Sequence, residues 1–411
     1  MKAISFLGPS AYAETTYTYD GKQVRTSFFP VALAQFIQPE KLYLCATPLV
    51  QRHDNLRKVQ EELDRLSIPL EVIPIPDGHS EADLWTIFDQ LTADNVVLRG
   101  EHVVFDVTHS FRSLPFLAFL AVAYLNTAKA VSVEKILYGA YEARTEANES
   151  PVFDLTPFVT LLDWTTAADR FKRSGDARDL ASLIKAQKKG LAKLGDQTLA
   201  GHLNNLAGAL TTISQSLRLI RPHLAMQQIA GLHERIESAR PGLEKAIAAH
   251  PFALLLENVN DAYAQLAQAD PLNEQNLSQT LEVERKMIHW FKDREQWVQA
   301  VSLAREWLLS WVMFRRGIFK ITQLGARQRI ENDIGADAND YRIAKESRTP
   351  FTPVFLNELT EINELLPLWL DLTNVRNDID HAGMREAPGE AESLIERIKN
   401  CVASLDNLPL E

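Results

Sequence analysis

HVVFDVTHSFRSLP, residues 102–115, is the stretch on which the fold turns. Its first seven residues, 102–108, are rich in Val and Phe and read as a strand covered on both faces. The polar run Thr108-His109-Ser110-Phe111-Arg112 ends that strand, and Ser113-Leu114-Pro115 opens a helix expected over 112–128. Strand, polar turn and helix in this order form the repeating unit of a parallel sheet with helical crossovers. In such sheets ligands bind beyond the carboxyl ends of the strands. Free backbone N–H groups at the helix start, with the Ser and Thr hydroxyls and the Arg112 guanidinium, make a phosphate cradle there.

The same alternation extends to both sides. Strands are predicted at 3–8, 41–47, 70–76 and 135–141, and amphipathic helices at 55–66 and 81–93. TYTYDGKQVRTSF (16–28) reads as a hairpin around Asp20-Gly21, inserted after the first strand. That strand ends in Gly8-Pro9-Ser10 and the next in Thr47-Pro48, so three strand ends carry small or polar groups. The first strand lacks GxGxxG, which disfavours a dinucleotide cofactor. Singly, Asp106 and Thr108 read as helix caps and His109 as a satisfied loop histidine; their clustering at strand ends favours a ligand.

From about Ala167 the strand signals cease and helical spacing takes over. An amphipathic helix carries Trp297, Ala300, Val301, Ala304, Leu308, Trp311 and Val312. A polar stretch follows at 325–352, then helices at 353–366 and 368–381 split by Pro367, and a last helix bearing Leu394, Ile395, Ile398, Cys401, Val402 and Leu405. The expected domains are therefore an α/β unit, 1–165, and an all-α unit, 166–411.

Arg376, Asn377 and His381 fall in the late helix. Bare Arg-x4-His spacing says little, because chance supplies roughly 0.6 matches in a chain of this composition. A second match, Arg218 and His223, has Pro222 inside it and is set aside. Around Arg376, the stripe Leu368, Leu372, Val375 and Ile379 pins one side of the helix to a core. At 100° per residue Asn374, Asn377 and His381 share the opposite face, with Arg376 about 140° from His381. A plain solvated face with a His suited to the helix dipole is the alternative. Arg305 lies off the apolar stripe of its helix and reads as a further contact or as a surface ion-pair partner.

The net charge of −11 argues against coating duplex nucleic acid through a broad basic surface, while leaving room for a local basic cleft. Cys45 and Cys401 are too few for a disulfide framework or a four-cysteine zinc site, and both sit on apolar patterns. No metal-ligand spacing accompanies His381. The longest apolar run, Leu114 to Leu125, is too short for a bilayer, and MKAISFLG lacks a signal-peptide layout, so a cytoplasmic protein without a membrane span is expected.

ISFLGPS (4–10), the Tyr-rich hairpin and above all DVTHSFRSLP (106–115) resemble the CARF sensor domain of CRISPR-associated proteins. Arg-Asn-x3-His at 376–381 resembles the HEPN ribonuclease motif, and LAREWLLSW (303–311) resembles the helix that packs near it. Residues 170–290 carry no specific signature. The resemblance implies a Rossmann-like CARF domain, with a mostly parallel sheet and a hairpin insertion, followed by an all-α HEPN domain. The function it implies is that of a type III CRISPR endoribonuclease that needs no metal and is switched on by a cyclic oligoadenylate. It implies that Gly8, Ser10, Thr47, His109, Ser110, Phe111 and Arg112 line this activator, with adenines stacking on aromatics such as Tyr17 or Phe111. Cyclic tetra-adenylate is the ring expected, although no residue reads the ring size. Catalysis is assigned to His381 as general acid or base, Arg376 for phosphate charge and Asn377 for orientation, acting on single-stranded RNA through its 2′-OH. The products would be a 2′,3′-cyclic phosphate and a 5′-OH, and DNA would resist. The chain would work as a homodimer or higher homo-oligomer, each site holding two Arg and two His. The rival reading is a ligand-responsive regulator or adaptor without nuclease activity; it calls for a basic helix-turn-helix, which is absent.

Overall fold

The alternation in the first part of the chain folds into one eight-stranded mixed sheet among the described residues. This computed structural model describes residues 1–109, 114–193, 195–247, 250–384 and 387–410. The chain divides into two compact units, Met1–Asp163 and Trp164–Glu411.

The first unit runs β1 (Lys2–Phe6), β2 (Thr15–Tyr19), β3 (Lys22–Thr26), α1 (Phe29–Ile37), β4 (Lys41–Ala46), α2 (Pro48–Gln51), α3 (Asp54–Arg65), β5 (Leu70–Pro74), α4 (Glu81–Thr92), β6 (His102–Asp106), α5 (Leu114–Lys129), β7 (Ser132–Gly139) and β8 (Glu149–Asp154). The unit boundary falls within α6 (Thr156–Ser174). Strand order is β3-β2-β8-β7-β6-β1-β4-β5. β1 lies at the centre, paired in parallel with β4 and β6, so the order reverses between β1 and β6. Such a switch point opens a crevice at the strand ends.

Period-two burial sorts the strand residues onto two layers. Ile4, Phe6, Tyr43, Cys45, Val103 and Phe105 pack with Ile87 and Leu91 of α4 and with Ala121, Val122 and Leu125 of α5. Ala3, Leu42, Leu44 and Val104 pack on the other face with Phe29, Leu33 and Phe36 of α1 and with Val59 and Leu63 of α3. The predicted hairpin extends the sheet: β2 pairs in parallel with β8, Thr16 opposite Glu149. β8 went unread because ESPVFD puts Pro and acidic residues in a short strand.

The second unit is helical: α7 (Arg178–Lys193), α8 (Gln197–Arg218), α9 (Pro222–Ala230), α10 (Leu232–Ile247), α11 (His250–Tyr263), α12 (Leu277–Asp293), α13 (Trp297–Arg315), α14 (Leu324–Ser347), α15 (Ile362–Asp380) and α16 (Ala391–Ser404). Three readings need correction. The polar stretch 325–352 is mostly α14, which buries a thin stripe of Ala326, Ile330, Ile334, Ala338 and Ala344 together with Asp337. The two helices expected around Pro367 are one, α15; Pro367 sits near its start, where few preceding carbonyls lose a partner. α13 is buried nearly all round from Ala300 to Met313, so it is a core helix and not an amphipathic one. Among the described residues no helix is long and apolar enough to cross a membrane.

Candidate functional site

At the carboxyl ends of β1, β4 and β6 lies a cavity of about 260 Å³, lined by Gly8, Ser10, Tyr12, Thr47, Thr108 and His109 among others. Four of the residues singled out in the sequence, Gly8, Ser10, Thr47 and His109, thus share one cavity. Ser110, Phe111 and Arg112 lie outside the described residues. A second cavity of about 250 Å³ shares Tyr12, Thr108 and His109 and adds Tyr138, Tyr141 and Glu142.

Tyr12 and His109 form the wall between the two. Their ring centres are 4.1 Å apart at 35°. The Tyr12 hydroxyl accepts a hydrogen bond from Gly8 N at 3.0 Å. A Cβ on Gly8 would come within 2.6 Å of that hydroxyl, so a side chain here would have to displace the Tyr12 ring. His109 Nε2 accepts from Phe29 N at 3.3 Å, so the neutral ring carries its hydrogen on Nδ1. Burial pushes the imidazole down to about 4. His109 therefore offers a stacking face and one N–H donor at neutral pH, and no cationic charge.

Behind the cavity a polar pair is sealed in the sheet. Asp106 is fully buried; its Oδ2 accepts from Ser5 Oγ at 2.5 Å and its Oδ1 from Thr108 N at 2.7 Å. Burial raises its carboxyl to about 6 against those hydrogen bonds. Thr108 Oγ1 accepts from Gly139 N at 2.8 Å, tying the turn after β6 to the end of β7. Two site residues escaped the sequence reading. Asn55 of α3, buried, donates through Nδ2 to Gly8 O at 3.1 Å and Ser10 O at 2.9 Å, holding the 8–10 loop. Tyr12 is the other. Tyr17, read as a stacking platform, is buried with its ring edge-on to Phe29 and lines the second cavity.

In the helical unit, Leu365, Leu366, Leu368, Trp369, Leu372 and Val375 are buried and fix α15 against α13, α14 and α16. Its last turns present Arg376, half-exposed, and Asn377, exposed; His381, also exposed, caps the helix through its N–H to Asn377 O at 3.1 Å. Arg376 Nε is paired with Asp380 Oδ2 at 3.1 Å. Directly after His381 the chain turns sharply, with Ala382 at φ 52° and Gly383 at φ 70°. Asp378, buried, accepts from Gly389 N at 3.1 Å and anchors the far end of that turn. At the second Arg-x4-His match, Arg218 ends α8 and His223 lies in the first turn of α9, its Nε2 2.9 Å from buried Glu284.

The first unit thus places a polar cavity at its switch point, where open α/β sheets take ligands. Residues 2–142 match the family described as "CRISPR system endoribonuclease Csx1, CARF domain". Residues 160–281 match "CRISPR-associated protein MJ1674, second domain". CRISPR-associated protein MJ1674 of Methanocaldococcus jannaschii is 26% identical over 156 residues, 38% of this chain and 24% of that protein. The chain thus matches about a quarter of the length of that curated relative. A solved structure titled "Enterococcus italicus Csm6 bound to cyclic hexa-2'-fluoro-hexa-dAMP" covers 99% of this chain and 92% of its own, at 10% identity and a TM-score of 0.39. The N-terminal unit is thus similar to CARF domains, and the chain to CRISPR-associated proteins. Neither family match reaches residues 282–411, where Arg376, Asn377 and His381 lie.

Proposed function

We propose that this protein is a cyclic-oligoadenylate-activated endoribonuclease of CRISPR defence, working in the cytoplasm as a homodimer on single-stranded RNA. The observation that carries the reading is the last stretch of α15, where a buried apolar side fixes the helix while Arg376, Asn377 and His381 stand open to solvent. The family matching the N-terminal unit is itself described as an endoribonuclease, which supports the same reading.

RNA supplies its own nucleophile. His381 takes the proton from the ribose 2′-OH as the 2′-oxygen attacks phosphorus, or returns a proton to the 5′-oxygen as the P–O5′ bond breaks. Arg376 carries the charge gathering on the non-bridging oxygens, and Asn377 orients either partner. The products are a 2′,3′-cyclic phosphate and a 5′-OH, and the scheme calls for no metal. A second copy, paired as the resemblance implies, would complete a composite site. The activator would act at the Gly8, Ser10, Thr47 and His109 cavity by favouring the cleavage-competent arrangement. Cyclic tetra-adenylate is the first ring to try.

The test is cleavage of a fluorescent single-stranded RNA in EDTA, with cyclic tri-, tetra- or hexa-adenylate or none. Activator-dependent cutting that falls on the order of 10³-fold in R376A and H381A supports the assignment. Full activity in H381A, or cutting that depends wholly on added metal, defeats it.

A further inference from the structure

The face of α15 that carries Arg376 continues inward to a charge for which the cleavage scheme has no role. Trp369, Thr373, Arg376 and Asp380 recur three or four residues apart, so they lie within about 60° of one another around the helix. Arg305 of α13 lies against this face: its guanidinium carbon is 3.4 Å from the centre of the Trp369 ring. Its side chain is 6% exposed, and Nη2 reaches Glu331 Oε1 of α14 at 2.8 Å. Nε and Nη1 are buried and meet no hydrogen-bond partner among the described residues, and the same holds for Thr373 Oγ1. Burial weakens the hold of Arg305 on its proton, and the positive charge of Arg376 acts in the same sense, so the two cations are within electrostatic reach.

A packing role does not account for this. A core that needs only volume is better served by an apolar side chain, because a buried cation with idle donors is costly. One ion pair to a half-exposed carboxylate leaves most of the five guanidinium donors unused. The stack on Trp369 and the contact with Glu331 hold the charge in place without neutralising it from below Arg376.

We propose that Arg305 is a positioning residue for the RNA phosphate at Arg376, an inference that rests on the reading of α15 as the cleavage site. Its fixed charge, where water screens it poorly, keeps the Arg376 guanidinium turned outward and adds to the field at the phosphodiester. The bound diester carries one negative charge and the pentacovalent arrangement approaches two. A fixed cation therefore favours the transition state over the ground state, and its removal lowers kcat more than it raises KM.

The experiment compares the parent chain, residues 1–411, with R305M, R305K, E331Q and R376A. It reads kcat and KM separately on the RNA reporter, and melting alongside. R305M is expected to lower kcat ten- to a hundredfold with KM changed less than threefold, and R305K to recover much of the loss. E331Q, at a half-exposed position, leaves only the more distant influence of Glu306 against the Arg305 charge and should raise kcat about two- to fivefold, a gain that no packing role produces. Parental kcat in folded R305M, with R376A inactive, would overturn the inference and leave the cleavage site standing. Unchanged or lower kcat in E331Q would also overturn it, and this arm holds even if R305M fails to fold. Parental cutting by R376A would overturn the cleavage site and this inference with it.

Discussion

The Arg376 guanidinium and the Asp380 carboxylate, one turn apart near the end of α15, face each other at 3.1 Å. Arg376 must leave this partner to grip a phosphate, and Asp380 also repels one. Exposed pairs of this spacing are worth about 0.3–0.5 kcal/mol. Asp380→Asn should therefore tighten RNA binding about twofold, more at low salt than at high salt, with kcat unchanged. Michaelis–Menten analysis at two salt concentrations checks this; a weaker-binding variant would mean that Asp380 holds Arg376 in its working position.

The contact between Gly8 and Tyr12 makes a sharper prediction about the sensor cavity. Gly8→Ala places a methyl against the Tyr12 hydroxyl, displacing the ring that stacks on His109. The activator concentration for half-maximal cleavage should rise at least about tenfold, the equivalent of 1.4 kcal/mol. Tyr12→Phe removes the colliding oxygen, so the G8A/Y12F double variant should respond better than G8A alone. Additive losses in this cycle would show that the collision is not the cause.

How far these features were legible depended on how each residue is held. The strands of the sheet centre were readable because strands buried on both faces leave continuous apolar runs. α14 was not, because six turns bury only about one small or apolar residue per turn, as at Ala326, Ile330 and Ile334. Gly8, Ser10, Thr47 and His109 could be grouped because parallel strands deliver their ends to one edge, whatever the side chains do. Asn55 could not: its task is to hold a loop some forty-five residues away, and nothing nearby in sequence marks it. Arg305 read as a further contact or as a surface ion-pair partner because it lies off the apolar stripe; it is buried, and the solvent side of α13 at that level falls on Glu306.

Asp106 and His109 pull stability in opposite directions as pH changes. Asp106 has a folded value near 6, above its ordinary value, so the folded state binds more protons and stability falls as pH rises from about 4 to about 6. His109 has a folded value near 4, below its ordinary value, so the unfolded state binds more protons and stability rises from about 4 to about 6.5. The two largely cancel in the parent. Relative to the parent, Asp106→Asn should gain stability as pH rises across this window and His109→Gln should lose it. Melting curves at several pH values between 4 and 7 check both slopes; parallel curves for all three proteins would show that neither group titrates as its burial dictates.

Asp337 is a buried carboxylate to which the cleavage scheme gives no role, and its loss should disturb the helical unit. It is fully buried on α14 and accepts hydrogen bonds from three consecutive backbone N–H groups: Val354 at 2.8 Å, Phe355 at 3.0 Å and Leu356 at 2.8 Å. These bonds fasten the segment before α15, and Leu356 and Leu359 are buried with it. Asp337→Ala would strand all three donors, costing on the order of 3 kcal/mol. For a unit of this size that corresponds to a melting point lower by about 6–12 °C. Limited proteolysis should open first at 349–361, ahead of the rest of the unit. A variant that melts with the parent and resists cleavage there would mean that the segment is held by its leucines alone.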